Sequence, residues 1–475
     1  MRGTSYIRTF PAPVAASLAL MAMSVVEKGL ILITSPLYTR LLTQSEFGTV
    51  SVFISWQTLL GVVAMFCLHG GVFNNGMLDY EEDRDRYSWS LLVLSNIITL
   101  ICFFALFALR PFLRTWFNLG LPLVCLMFAM FFTQPAFNFW MARQRFEYKY
   151  KLLAAVVIGS AFLSPLATVA CILAFPGHRV YARLFGGESV LICVYCAYYF
   201  YLGKKAGWKV KFSYWKQAFL FNLPLIPHYL SGYALNSADR IMIANFAGDS
   251  AAARYSVAYT VALAATVVWN AINASLIPYT YEKCRKGDYA AIYNITNPIV
   301  LIYACLCGGL ILIVPELIMI MAPSSYYEGI FIVPPIVGGV FFMSLYSVFA
   351  NVVYYYRRPR YVMYASVSAA TLNVILNYIF IPRFGYMAAA YTTLFCYIVQ
   401  AALDYLALKK VTKASVCNMR LLLAFCAAMV AVSLFSGTLY YHNLLRYSLI
   451  ALSVLAALLM RRRIVGAILA VRESN

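Results

Sequence analysis

Long apolar runs alternate with short polar links along almost the whole chain. Fourteen such runs, each of about 17–28 residues and so near the ~20 that carry an α-helix across hydrocarbon, lie near 11–35, 46–69, 88–109, 119–140, 152–175, 185–203, 217–245, 252–277, 294–321, 329–353, 361–381, 387–408, 420–439 and 444–460. No link is long enough for a soluble domain. The pattern predicts an all-α polytopic membrane protein with about 14 transmembrane helices. Composition agrees: 63% of the residues are hydrophobic and 11% charged, where a soluble chain holds about 25% charged.

The runs repeat. Segment six ends at Lys204-Lys205 and segment twelve at Lys409-Lys410. The link Thr43-Gln-Ser-Glu-Phe-Gly-Thr-Val-Ser-Val52 answers to Gly248-Asp-Ser-Ala-Ala-Ala-Arg-Tyr-Ser-Val257 at a similar offset. Both are tight polar turns followed by an aromatic and small residues. Six helices per copy is an even number, so the two copies share one topology. The expected organisation is two six-helix pseudo-repeat lobes, 1–205 and 217–410, followed by two extra helices and a tail in 420–475. Two parallel lobes with the substrate site between them is a known transporter plan.

Charge sets the orientation. With the N-terminus inside, twenty-seven of the 37 Lys and Arg residues fall in inside regions and nine outside. That asymmetry, which the acidic link Asp79–Asp85 does not weaken, places both termini in the cytoplasm. The net charge of +20 therefore reflects orientation and lipid headgroups, not a nucleic-acid partner. The N-terminal apolar run reads as a retained first helix. It carries Glu27-Lys28 where a signal peptide would need small residues, and it continues apolar to Tyr38. Most of the twelve Cys sit in apolar runs as small hydrophobes. The four His make no metal constellation.

One stretch departs from the pattern. Residues 222–244 carry Pro224 and Pro227 and then the pair Asp239-Arg240. Proline interrupts the hydrogen-bond ladder of a helix, and charges in a membrane segment face a cavity or a partner. The combination suits a gating or substrate helix with a hinge at Pro224 and Pro227. It suits equally a helix end anchored at the membrane surface.

At this point the chain resembles the polysaccharide flippase (Wzx-type) branch of the multidrug/oligosaccharidyl-lipid/polysaccharide (MOP) exporter superfamily. The resemblance rests on Pro36-Leu-Tyr-Thr-Arg-Leu-Leu-Thr-Gln-Ser-Glu-Phe-Gly48, on Asp239-Arg240 with Gly248 and Tyr255-Ser256, and on Leu372-Asn-Val-Ile-Leu-Asn-Tyr-Ile-Phe-Ile-Pro-Arg-Phe-Gly-Tyr-Met-Ala-Ala-Ala390. Met387 stands where that pattern usually has Gly. The resemblance implies alternating access and a substrate of undecaprenyl-diphosphate-linked oligosaccharide. Flipping would run from the inner to the outer leaflet of the bacterial cytoplasmic membrane. Implied partners are that substrate, membrane lipids and other glycan-assembly proteins. No cofactor is implied beyond a coupling H+ or Na+.

Such a substrate needs cations for its diphosphate, and Arg binds phosphate bidentately. Lys28, Arg40 and Arg240 are the candidates. Glu27 and Asp239 are candidates for a coupling site or a structural ion pair. Sugar hydrogen-bonding candidates are Gln134 and Asn138 on segment four and Tyr259, Asn270 and Asn273 on segment eight. Asn373 and Asn377 stand four apart on segment eleven. Amides at such spacing serve equally as interhelical glue.

Three rival readings remain. A drug or cation antiporter of the same superfamily would need a lobe rich in carboxylates, and the membrane segments here hold cations at least as often. A membrane glycan polymerase or ligase would need catalytic groups clustered on an outer loop, and those loops are short. An ATP-driven pump would need a GxxxxGK[ST] loop, which this chain lacks.

Overall fold

The computed structural model describes residues 12–113, 116–117, 119–147, 149–412 and 415–459. The expectations for the start of the chain, for Arg114, Lys413 and the Arg461–Arg463 run, and for the C-terminal tail lie outside these residues. Every regular element among them is helical. In chain order they are α1 (Ala12–Leu41), α2 (Gln44–Ala64), α3 (Gly71–Asp79), α4 (Arg84–Leu113), α5 (Leu121–Phe146), α6 (Tyr150–Ala174), α7 (Arg179–Lys205) and α8 (Ser213–Asn222). There follow α9 (Ile226–Ala247), α10 (Asp249–Lys286), α11 (Tyr289–Leu312), α12 (Val314–Met321), α13 (Val333–Tyr355), α14 (Pro359–Phe384), α15 (Tyr386–Val411), α16 (Met419–Leu439) and α17 (Asn443–Leu459). Eleven helices among the described residues are long and apolar enough to cross a membrane. α1, α9 and α17 occupy the other three expected segments. The chain is a multi-pass membrane protein.

Three segments differ in detail from the apolar pattern. The seventh is not one helix. α8 ends at Asn222, a 3-10 turn covers Leu223–Leu225, and α9 starts at Ile226. Pro224 sits in the turn and Pro227 in the first turn of α9, positions where the missing N–H costs least. The ninth is cut in two before Pro315, giving α11 and the short α12. The acidic link after α2 is not a plain loop, because α3 and a 3-10 turn at Glu81–Asp83 fold within it. α10, by contrast, runs 38 residues and ends on Gly287 in the left-handed region, as helix C-termini commonly do.

The described residues pack as two compact units, one holding residues 12–31 and Leu60–Ile226, the other Leu32–Leu59 and the described residues from Pro227 to Leu459. In the first unit, Phe73, Met77, Tyr87, Trp89 and Phe139 form a buried cluster that also takes in Tyr214 of the α8 region. Trp215 Nε1 donates to the Ser90 carbonyl at 2.8 Å, which ties α8 to α4. The ends of α4 and α5 are joined by Arg143 to Asp85 and Glu147. Burial raises the Glu147 carboxyl, but hydrogen bonds from Lys149 and Arg143 outweigh it and hold the group below its ordinary value.

In the second unit α13 is the central helix, buried along most of its length between α10, α11, α15 and α16. The end of α1 and the start of α2 belong to this unit through named contacts. Thr39 Oγ1 donates to the Met321 carbonyl at 2.7 Å, and Gln44 Nε2 donates to the Ser325 carbonyl at 2.5 Å. Thr49 Oγ1 donates to Asp249 Oδ2 at 2.9 Å. Gly48 lies so close to the Asp249 backbone that a Cβ would overlap it. The two links recognised as a repeat in sequence thus touch each other. At the far end of the unit, Arg446 of α17 pairs with Glu316 of α12 through both Nη atoms at 2.6 and 3.2 Å.

Candidate functional site

Asp239 is fully buried in the second unit. A carboxylate taken out of water needs donors or a counter-charge, and three neighbouring helices supply donors. Tyr255 of α10 donates to Oδ2 at 2.5 Å, and Thr393 of α15 donates to the same oxygen at 2.8 Å. Asn377 of α14 donates to Oδ1 at 2.6 Å. The amides extend the network. Asn377 Nδ2 also reaches Asn373 Oδ1 at 3.1 Å, Asn373 Nδ2 donates to Thr393 Oγ1 at 3.1 Å, and Thr392 Oγ1 donates to Asn377 Oδ1. Asn373 and Asn377 are both fully buried. Four helices therefore meet on one carboxylate. Hydrogen bonds to an ionised acceptor are the strong ones.

Asp239 and its sequence neighbour Arg240 do not pair. Adjacent positions on a helix point about 100° apart, and no ion pair involves either among the described residues. Arg240 is half-buried. Its Nη1 donates to the Asn236 carbonyl at 2.6 Å, and its guanidinium lies 4.5 Å from the Tyr259 ring centroid. Tyr259 in turn donates to Asn236 Oδ1 at 2.5 Å, and Tyr397 donates to the same oxygen at 3.3 Å. The described hydrogen bond uses one of the five donors of a guanidinium.

The other sequence candidates are placed as follows. Arg40 is exposed and donates to two carbonyls, of Pro36 at 2.9 Å and of Ile320 at 3.0 Å, so it fastens α1 to the end of α12. Glu27 is exposed and Lys28 half-buried on α1 in the first unit, and no ion pair joins them. Glu27 lies within electrostatic reach of Arg145. Gln134 and Asn138 are half-buried on α5 of the same unit. On α10, Asn270 is exposed, whereas Asn273 accepts from Asn351 of α13 at 2.8 Å. Tyr259 and Asn273 thus take part in bonds between side chains of different helices. Pro224 and Pro227 flank the point between Ile226 and Pro227 where the two units divide.

The site includes residues that the sequence reading passed over. Asn236 lies three and four positions before Asp239 and Arg240, on their side of the helix. Thr392-Thr393 follows the Asn373/Asn377 motif by about four turns of helix, and nothing in a single sequence marks it.

A profile described as polysaccharide biosynthesis protein matches residues 14–283, more than half of the chain. The chain belongs to the polysaccharide biosynthesis protein family. A curated relative of this family member, "Lsg locus putative protein 1" of Haemophilus influenzae, is 23% identical over 247 residues. The match covers 49% of this chain and 58% of that protein. Solved structures share the fold of the family member at low identity. "Lipid II flippase MurJ, inward closed conformation" superposes with a TM-score of 0.68 at 12% identity, over 95% of this chain and all of that one. An inward-facing multidrug resistance MATE family transporter of the MOP superfamily gives 0.60 at 12% identity, over 85% of this chain and 99% of that one. A MOP superfamily transporter from Pyrococcus furiosus, titled for the reverse polarity of its binding pocket, gives 0.55 at 13% identity, over 85% and 96%. These neighbours are transporters and flippases, not enzymes.

Proposed function

We propose that this chain flips undecaprenyl-diphosphate-linked oligosaccharide from the inner to the outer leaflet of the bacterial cytoplasmic membrane. Alternating access is the mode of transport, and a coupling cation drives it. The observation that carries this reading is the state of Arg240. Its guanidinium sits half-buried in a membrane helix, propped on Tyr259 and Asn236, and forms no salt bridge among the described residues. An oriented guanidinium outside any salt bridge fits a phosphate group better than a cationic drug. Family membership and the fold of a lipid II flippase support the same substrate class.

In this reading Arg240 holds the diphosphate while the polyprenyl tail stays in lipid, and Lys28 is a candidate cation of the first unit. Arg40, engaged by carbonyls, keeps α1 in place. Gln134, Asn138 and Asn270 are left to contact sugars. The proline pair lets the chain bend between Asn222 and Ile226 as transport proceeds. The coupling cation belongs at Asp239. Asn377 Nδ2 and Thr393 Oγ1 donate to that carboxylate; with a cation bound they turn side-chain oxygens to it, and hard cations such as Na+ prefer oxygen donors of this kind.

The deciding experiment is glycan export in cells carrying Arg240 variants at normal protein levels. Removing a charge-assisted partner of about 1.5–3 kcal/mol lowers substrate binding roughly tenfold to a hundredfold. Arg240→Ala therefore loses export, and Arg240→Lys recovers part of it, since Lys keeps the charge without the fork. Normal export by Arg240→Ala would remove Arg240 from the substrate site.

A further inference from the structure

α15 holds one acidic residue within its apolar length, Asp404. The side chain is fully buried, and neither carboxylate oxygen has a hydrogen-bond partner. One turn earlier on the same face, Gln400 is 3% exposed and its Oε1 also lacks a partner. Three acceptor oxygens are thus gathered with nothing donating to them. No ion pair reaches Asp404 among the described residues. The Asp239 network uses neither residue.

A cavity of about 300 Å³ within the second unit reaches Gln400 of this pair and is lined further by His228, Asn236, Tyr346, Tyr354 and Ser366. Asp404 is within electrostatic reach of Tyr346 and Tyr354. His228 Nδ1 is 3.1 Å from Ser366 Oγ. The cavity lining also holds the phenols Tyr229 of α9 and Tyr397 of α15, and Tyr354 is within electrostatic reach of Tyr229 and of Tyr281 of α10. The basic side chains a turn further on are drawn to rings, Lys409 to Tyr405 and Lys410 to Tyr361.

A buried carboxylate with neither donor nor cation demands a compensating charge. We propose that Asp404 is a proton-binding site, with the acid O–H donating to Gln400 Oε1. One proton then satisfies both residues. It neutralises the carboxylate and gives the orphaned amide oxygen its donor. The cavity with His228 and the tyrosine hydroxyls is the side from which the proton enters and leaves. A metal cation is a poorer fit, because the pair brings only one carboxylate and one amide and the cavity lining adds no second carboxylate. The proposal is independent of which glycan is carried and of Arg240, and it adds a proton input separate from Asp239.

The test is the infrared spectrum of the full-length protein in proteoliposomes, in the region of the protonated-carboxyl C=O stretch. Wild type minus Asp404→Asn shows the loss of one band, and added sodium leaves that band in place. Gln400→Leu moves it to higher frequency, because the hydrogen bond is gone. Identical wild-type and Asp404→Asn spectra overturn the proposal. Removal of the band by sodium overturns the proton in favour of a metal cation. Should Asp404→Asn fail to accumulate, Gln400→Leu decides alone, since an unmoved spectrum there also overturns the proposal.

Discussion

Asp239 accepts hydrogen bonds from three helices, α10, α14 and α15. Deleting the acceptor strands Tyr255, Thr393 and Asn377 in a dry interior. Asp239→Ala is predicted to destabilise the protein by about 3–5 kcal/mol, the cost of breaking a buried charged network by one partner. Thermal unfolding in detergent measures this, and a midpoint equal to wild type would show that the network is not holding the helices. Asp239→Asn keeps the shape and is expected to unfold near the wild-type temperature while losing any sodium-dependent stabilisation. Much of this site was legible from the chain. An acid inside a membrane segment and a pair of Asn at i,i+4 are conspicuous. What the sequence could not supply was that they meet, because residues 239 and 377 come together only in the folded chain, through a side-chain hydrogen bond from α14 to α9. Nor could it separate Arg40 from Arg240. Both are arginines in apolar surroundings, and only geometry shows one fastened to carbonyls and the other stacked on an aromatic ring.

At the scale of elements, hydropathy located every long helix but misjudged where helices break. Proline marks both breaks: Pro224 was read as a hinge within one helix and Pro315 was passed over, and each starts a new helical piece. The contact between α2 and α10 was not readable at all. It depends on Gly48 approaching the Asp249 backbone, and a single glycine in a link does not announce its neighbour. Gly48→Leu is predicted to lower the unfolding midpoint through overpacking of about 1–3 kcal/mol. The control is Gly29→Ala on α1, where an added Cβ meets no atom within 4 Å. That change is expected to be neutral or slightly stabilising, because Ala favours a helix over Gly. Equal loss in both variants would deny the close approach its role.

At the scale of the whole molecule, the charge asymmetry predicts that the loops carrying Lys204–Lys216 and Lys409–Arg420 lie in the cytoplasm. Reporter fusions after Lys216 and after Lys413 are expected to give cytoplasmic signals. A periplasmic signal from either would overturn the fourteen-span topology. The length of α10 reaches further. Between Arg254 and Glu282 it carries no charged residue, which makes an uncharged rod of roughly 40 Å with Pro278 near its far end. The hydrocarbon of a bilayer is only about 30 Å thick, so such a rod must lean or stretch the lipid around it. Hydrophobic mismatch is thereby built into the second unit, and the thickness of the host membrane becomes a variable of the transport cycle. Vesicles of short-chain lipid would force α10 to lean further, whereas long-chain lipid would let it stand.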